Sequence, residues 1–309
     1  SNNITFTNNR TESAIFHADT NVVFSSNVLR NNNRHRFYSF RGHNFSLSNN
    51  VYIGRYTHPV YIDNSSDFTV QNDSITFERG SNDYGIYINS SNNILIADNY
   101  INADDGINYA YRNYGLVVGG TGDSIMVKRN TFESFSGEDT EDGIHINGHY
   151  GYLEIDSNTV SNFKNRGIFL HPRVGNEWKV RENTVNNTTV TGIKLDGDAI
   201  NTNDVNNNGG VAASVYVNDN IVQGGNNGII IQDINGGATV KDISRNKLTG
   251  QIGGIGITVN GPNSLVANNY IQMDGVGIAK GISLETYGSG SDVVFNSVNI
   301  TGTDGVNGQ

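Results

Sequence analysis

Residues 142–170 read DGIHINGHYGYLEIDSNTVSNFKNRGIFL, and the fold is decided by what recurs inside that stretch. It opens on a phrase of glycine, apolar, any, apolar (GIHI, from Gly143) and closes on a second copy (GIFL, from Gly167). Between them stands asparagine, any, apolar (NTV, from Asn158). In the first phrase Ile144 and Ile146 alternate with His145 and Asn147, the period-2 pattern of a strand with one buried face.

Both phrases recur along the chain. The glycine phrase appears as GIYI at Gly85, GLVV at Gly115, GIKL at Gly192, GIII at Gly228, GIGI at Gly254 and GISL at Gly281, with successive glycines 24 to 36 residues apart. The asparagine phrase starts at Asn99, Asn130, Asn158, Asn183, Asn220, Asn246, Asn269 and Asn296. The two interleave, so every period holds at least two short strands with turns between them. Such strands are too short to stand alone. Stacking the copies pairs each strand with its equivalents above and below and builds one continuous core. The fold class is therefore all-β: a single-stranded right-handed parallel β-helix of about eleven coils, forming one domain over residues 1–309. Glycine and asparagine are expected at its corners because both tolerate left-handed backbone. Asparagines at one corner can also stack into an amide ladder. SAIFHAD (13–19), RFYSFRG (36–42) and PVYIDN (59–64) occupy the slot of the glycine phrase without its glycine. No repeat has leucine-rich spacing, and the coils are too short for propeller blades. No amphipathic capping helix is visible at either end, so the chain reads as a fragment of a longer one, or as a solenoid covered by flanking domains or by partners in a homotrimer.

Composition narrows the partners. The net charge of −10 argues against nucleic acid. No apolar run is long enough to span a membrane. The absence of cysteine excludes disulfides and thiol chemistry. A chain rich in Asn, Thr and Ser and poor in Lys suits an extracellular, secreted or virion-surface protein.

Aligning the glycine phrases gives two outward lanes. The first reads Tyr61, Tyr87, Val117, His145, Phe169, Lys194, Ile230, Gly256, Ser283, and the second Asp63, Asn89, Gly119, Asn147, His171, Asp196, Gln232, Thr258, Glu285. Adjacent coils lie about 4.8 Å apart. His145, Phe169 and Lys194 should therefore stack on three successive coils, with Asn147, His171 and Asp196 beside them and His149 and Arg173 close by. Long excursions at 99–115, 130–143 and after Asp196 would wall this floor, and Tyr109, Tyr111 and Tyr114 on one wall, with Tyr61 and Tyr87 on the floor, could stack on sugar rings. The patch suits β-elimination or C5 epimerisation of an acidic, uronate-containing polysaccharide. Arg173 or Lys194 would neutralise the carboxylate, and His171, His145 or Lys194 would take the C5 proton. This chemistry requires no cofactor, although the acidic residues Asp139, Glu141 and Asp142 are candidate oxygen ligands for Ca²⁺.

The coil pattern of the whole chain resembles the pectin-lyase-like superfamily of parallel β-helices, which includes polysaccharide lyases and epimerases, polygalacturonases and phage tailspikes. The resemblance implies catalytic Lys, Arg, His or Asp residues on the outer face of central coils, matched in kind by His145, His171, Arg173 and Lys194. The epimerase-type DPH motif is absent, and LHPR at 170–173 does not replace it. Of the polygalacturonase motifs, Asp142 could mimic one and Lys194 another, while two have no counterpart. The resemblance leaves three readings: lyase or epimerase, a non-catalytic structural or glycan-binding module such as a tailspike or adhesin segment, and, as a lesser one, a glycoside hydrolase.

Overall fold

The structure is a computed structural model that describes residues 3–31, 35–55, 58–78, 83–104, 113–134, 141–172, 177–196, 214–232, 240–275, 279–285 and 290–301. Every strand pairing in it is parallel, and among the described residues there is no helix. A twelve-stranded sheet carries the asparagine phrases, running from Arg10–Thr11 to Ser297–Thr301. A second sheet has 21 strands. It consists of two lanes fused by two long strands, Asn113–Lys128 and Asp142–Asp156, that run through both without a break. The glycine phrases form one of these lanes. The other, containing segments such as Asn92–Ala97 and Glu177–Arg181, was not evident from the two phrases. Each coil thus contributes three strands. The glycine-free slots at 13–19, 36–42 and 59–64 take their expected place, with Phe37 opposite Val60 and Val60 opposite Ile86.

Alternate residues of all three lanes fill one interior. Ile144, Ile146, Leu153, Ile155 and Val160, all from one coil, are buried, and the same pattern repeats up and down the axis. In the first coils the filling is aromatic, with Phe45 stacked on Phe68 at 4.5 Å between ring centroids.

One corner carries a side-chain ladder of twelve rungs: Asn9, Asn27, Asn50, Asp73, Asn99, Asn130, Asn158, Asn183, Asn220, Asn246, Asn269 and Asn296. At a typical rung, Asn158, the backbone N–H and the amide Nδ2 both donate to Asn183 Oδ1 at 3.0 Å, and Nδ2 also donates to the Val127 carbonyl at 2.9 Å. The rungs themselves are not in left-handed backbone. The residue before each one is, whatever its type: Arg129 has φ 54°, Glu182 φ 55° and Phe295 φ 55°. Asparagine thus takes both expected roles, at different positions: Asn8, Asn49 and Asn268 make left-handed turns, and the asparagine that follows each is the rung. Its amide supplies the hydrogen bonds, and the preceding residue makes the turn.

The phrase glycines are not left-handed either. A Cβ on Gly143 would lie 2.2 Å from Val160 Cγ1 and 2.8 Å from the Gly167 carbonyl oxygen, and one on Gly115 would lie 2.5 Å from the Gly143 oxygen. The glycines form a column because each coil packs its backbone where a side chain would stand. This column corrects the lane assignment at one coil. The glycine in register is Gly256, not Gly254, since a Cβ on Gly228 would strike the Gly256 oxygen and one on Gly256 the Gly281 oxygen. Ile230 accordingly faces Thr258, which faces Ser283, and Asn260 faces Glu285. The segment GIGITV offers two glycine frames, and packing selects the second.

Candidate active site

The glycine phrase does more than lighten the packing. In Asp142–His145 the two middle residues, Gly143 and Ile144, are both buried, so Asp142 and His145 emerge on the same outer side. The same spacing brings out Tyr84 with Tyr87 and Arg166 with Phe169. The residue before the glycine therefore forms a further outer lane, in which Tyr84 pairs with Tyr114 and Asp142 with Arg166. That lane was missed from the sequence, and with it Arg166. The signal was present, since one residue precedes the glycine in every phrase.

His145 sits at the crossing of these lanes. Its Nδ1 lies 2.7 Å from Asp142 Oδ2, and Asp142 has no exposed surface. Arg166 reaches Asp142 from the next coil, Nε to Oδ1 at 2.7 Å and Nη2 to Oδ2 at 2.9 Å, a forked pairing that fixes the carboxylate in place. An ionised carboxylate only accepts hydrogen bonds, so the proton of a neutral His145 is on Nδ1 and the lone pair on Nε2. Nε2 has no partner among the described residues. The ring is held edge-on between Tyr114, at 5.3 Å between centroids, and Phe169, at 4.9 Å. Arg166 Cζ lies 3.5 Å from the Phe169 ring centroid, so its guanidinium is fixed by a carboxylate and an aromatic face together.

The lanes on the next coils follow the expected order. Phe169 pairs with His145 on one side and Lys194 on the other. Lys194 Nζ is 2.7 Å from Asp196 Oδ2 and 5.9 Å from the Phe169 centroid, and the His171 ring lies 6.0 Å from Phe169. Asn147 pairs with Gly119 and His171. Of the other sequence-predicted residues, Arg173, Tyr109, Tyr111 and Asp139 lie outside the described residues. His149 is in the long strand opposite Thr121. Glu141 accepts a hydrogen bond from Asn165 Nδ2 at 2.9 Å. Among the described residues no three His, Asp or Glu side chains are grouped to hold a cation. Asp142, with both oxygens engaged and no exposed surface, is not placed to serve a paired-carboxylate hydrolysis.

From this centre an aromatic row runs along the axis toward the N-terminus. Its steps are His145 to Tyr114, Tyr114 to Tyr84 at 5.4 Å, Tyr84 to Tyr87 at 5.1 Å, Tyr87 to Tyr61 at 4.8 Å, and Tyr61 to Tyr38 at 5.1 Å. The planes of Tyr84 and Tyr87 are only 26° apart, and those of Tyr61 and Tyr87 32°. Tyr84 and Tyr87 stack on one another, so these two rings cover each other's faces, while Tyr38, Tyr61 and Tyr114 are tilted against their neighbours. Partial burial and the charge of Asp63 push the Tyr61 phenol up to about 12, and burial, reinforced by nearby acidic groups, raises Tyr84 and Tyr87 as well. The phenols of Tyr61, Tyr84 and Tyr87 therefore stay uncharged through the physiological range.

A coiled parallel sheet with three strands per coil defines a parallel β-helix protein. The family model described as a right handed beta helix region matches residues 60–227, more than half of the chain, and the chain belongs to that family. Among solved structures, the periplasmic alginate epimerase AlgG is similar over 90% of this chain and 78% of its own, at 14% identity and a TM-score of 0.33. No curated protein matches the chain. No helix among the described residues is long and apolar enough to cross a membrane.

Proposed function

We propose that the protein modifies a uronate-containing polysaccharide laid along the outer lanes, with His145 as the general base. The observation that carries this reading is the 2.7 Å contact from buried Asp142 to His145 Nδ1, which orients the ring and leaves Nε2 to take a proton. A sugar lying between His145 and Lys194, across the Arg166 guanidinium that covers Phe169, would place its C5–H toward Nε2 and its carboxylate toward the Lys194 ammonium. Neutralising the carboxylate acidifies C5–H, and the proton passes to His145. The electron pair left at C5 then forms the C4=C5 double bond while the C4–O bond breaks and the departing oxygen takes a proton from solvent water. Alternatively C5 regains a proton on its opposite face, which is epimerisation. Such polymers are found outside the cytoplasm, and that is the setting this reading implies for the protein.

The test is ultraviolet absorbance of the unsaturated product on alginate, pectate, hyaluronan and chondroitin, paired with NMR of C5 proton exchange in deuterated buffer. Activity by either readout that His145→Ala abolishes, in a protein with unchanged circular dichroism, supports the assignment. Activity that survives His145→Ala overturns it. Silence in both readouts favours the second reading, a glycan-binding module, to which the long aromatic row would be equally suited.

A further inference from the structure

The groove is not uniform along its length. On the C-terminal side of His145 it carries two fixed cations, Arg166 and Lys194. On the N-terminal side, Asp63, Asn89 and Gly119 are joined by register on three successive coils beside the tyrosine row, and the His58 ring stacks in that row, 4.6 Å from Tyr84. Asp63 Oδ1 accepts from Asn64 Nδ2 and Asn89 Nδ2, both at 2.9 Å. Its Oδ2 has no hydrogen-bond partner among the described residues and is not buried. Asn89 donates through Nδ2, and its Oδ1 has no hydrogen-bond partner among the described residues either. At Gly119 an added Cβ would meet nothing nearer than 3.7 Å, so the floor is open there. Among the described side chains toward that end, the Arg41 guanidinium lies over the Phe40 ring at 4.8 Å.

These atoms have one chemical sense. Asp63 Oδ2 and Asn89 Oδ1 are both acceptors, so they match ligand groups that donate. Sugar hydroxyls donate, whereas a uronate carboxylate only accepts and would meet the like charge of Asp63. Tyr61 and Tyr87 pack against each other at 4.8 Å and flank these acceptors with neutral phenols, so the fixed charge of Asp63 and the Asn89 side-chain carbonyl set the preference. We propose that Asp63 and Asn89, flanked by Tyr61 and Tyr87, form a subsite for neutral sugar residues. The polymer is then a mixed one, with neutral sugars over the N-terminal coils and an acidic sugar between His145 and Lys194. This inference rests on the reading of this face as a glycan groove and adds to it the composition of the chain that fits.

Isothermal titration on the His145→Ala protein tests the subsite without any chemistry, using neutral gluco-, manno- and galacto-hexaoses and the matched hexauronates. The expected result is that a neutral hexaose binds more tightly than the hexauronates, and that Asp63→Ala weakens it at least tenfold. Asp63→Asn, which keeps the shape and one acceptor, should retain more of that binding and improve hexauronate binding. The inference is overturned if none of the neutral hexaoses binds, if Asp63→Ala leaves their binding unchanged, or if hexauronates bind more tightly to the protein with Asp63 intact. Uronate turnover without neutral-sugar binding would overturn the subsite alone. Neutral-sugar binding lost in Asp63→Ala, without any turnover by the unmutated protein, would support the subsite and leave the assignment of His145 to fail separately.

Discussion

Arg166 grips the carboxylate of Asp142 from the next coil with two hydrogen bonds, Nε to Oδ1 at 2.7 Å and Nη2 to Oδ2 at 2.9 Å. Asp142 has no exposed surface, so Arg166 is what allows a charge to remain there. Arg166→Ala should destabilise the protein by about 3 kcal/mol, the cost of an uncompensated buried charge. Adding Asp142→Asn to that variant should recover part of the loss, and chemical denaturation of the two single variants and the double variant measures the coupling.

Asp142→Asn alone tests orientation rather than stability. An amide can present Nδ2 to His145, which would put the ring proton on Nε2 and remove the base. Turnover should fall by about two to four orders of magnitude, the scale of comparable losses of an orienting carboxylate and a general base. The comparison of kcat with KM decides the case: a structural defect would raise KM as well, whereas a lost base lowers kcat.

A pH effect is built into the ladder at Asp73. Burial raises its carboxyl from 3.8 to about 7, against the hydrogen bonds from Asn50 that favour the charged form. Its Oδ2 is buried without a partner, where every flanking rung carries an amide that donates. Its titratable neighbour is the Tyr52 phenol, fully buried and pushed upward. Below 3.8 both folded and unfolded chains hold the Asp73 proton and nothing is lost. Between 3.8 and about 7 only the unfolded chain ionises, so stability falls as pH rises, and above 7 the full cost remains. Asp73→Asn should therefore change little at pH 4 and stabilise by on the order of 4 kcal/mol at pH 8. Melting curves at the two pH values check it, and an equal gain at both would refute the charge argument.

Two glycines of the same strand and its neighbour should behave oppositely. Gly143→Ala pushes a methyl against Val160 and the Gly167 backbone, and should destabilise by about 1–3 kcal/mol. Gly119→Ala adds a methyl with no contact nearer than 3.7 Å and no left-handed φ, and should be neutral or stabilising by up to about 1 kcal/mol. Thermal melting of the two variants side by side measures the difference.

The solenoid was readable because each coil repeats two phrases whose spacing no other fold explains. Tyr87, Val117, His145, Phe169 and Lys194 fall on one lane as their phrases require. The third strand of each coil was not readable, because segments such as ILIA (94–97) and VYV (215–217) share alternation but no fixed residue. At GIGITV the phrase fits twice, and only the collision of a Cβ with the next glycine's oxygen separates the frames. In the site, His145 was legible as an outward histidine. Asp142 was read as an acidic cluster member and Arg166 was not read at all, since strict alternation places the residue before the glycine on the wrong side. The doubled inward pair Gly143–Ile144 reverses that placement.

The ladder also has a consequence for how such a protein changes over generations. The hydrogen bonds of each rung reach no further than the adjacent coils, Asn130 to Asn158 and Asn158 to Asn183, so a whole coil can be duplicated or lost while the remaining corner rejoins itself. The shaft would tolerate this, but the chemistry would not. Loss of the coil bearing Arg166 and Phe169 would bring Lys194 directly against His145 and leave Asp142 without its cation. Inheritance of the proposed activity would thus be a matter of coil order, and a gain or loss of coils should be neutral everywhere except among these three.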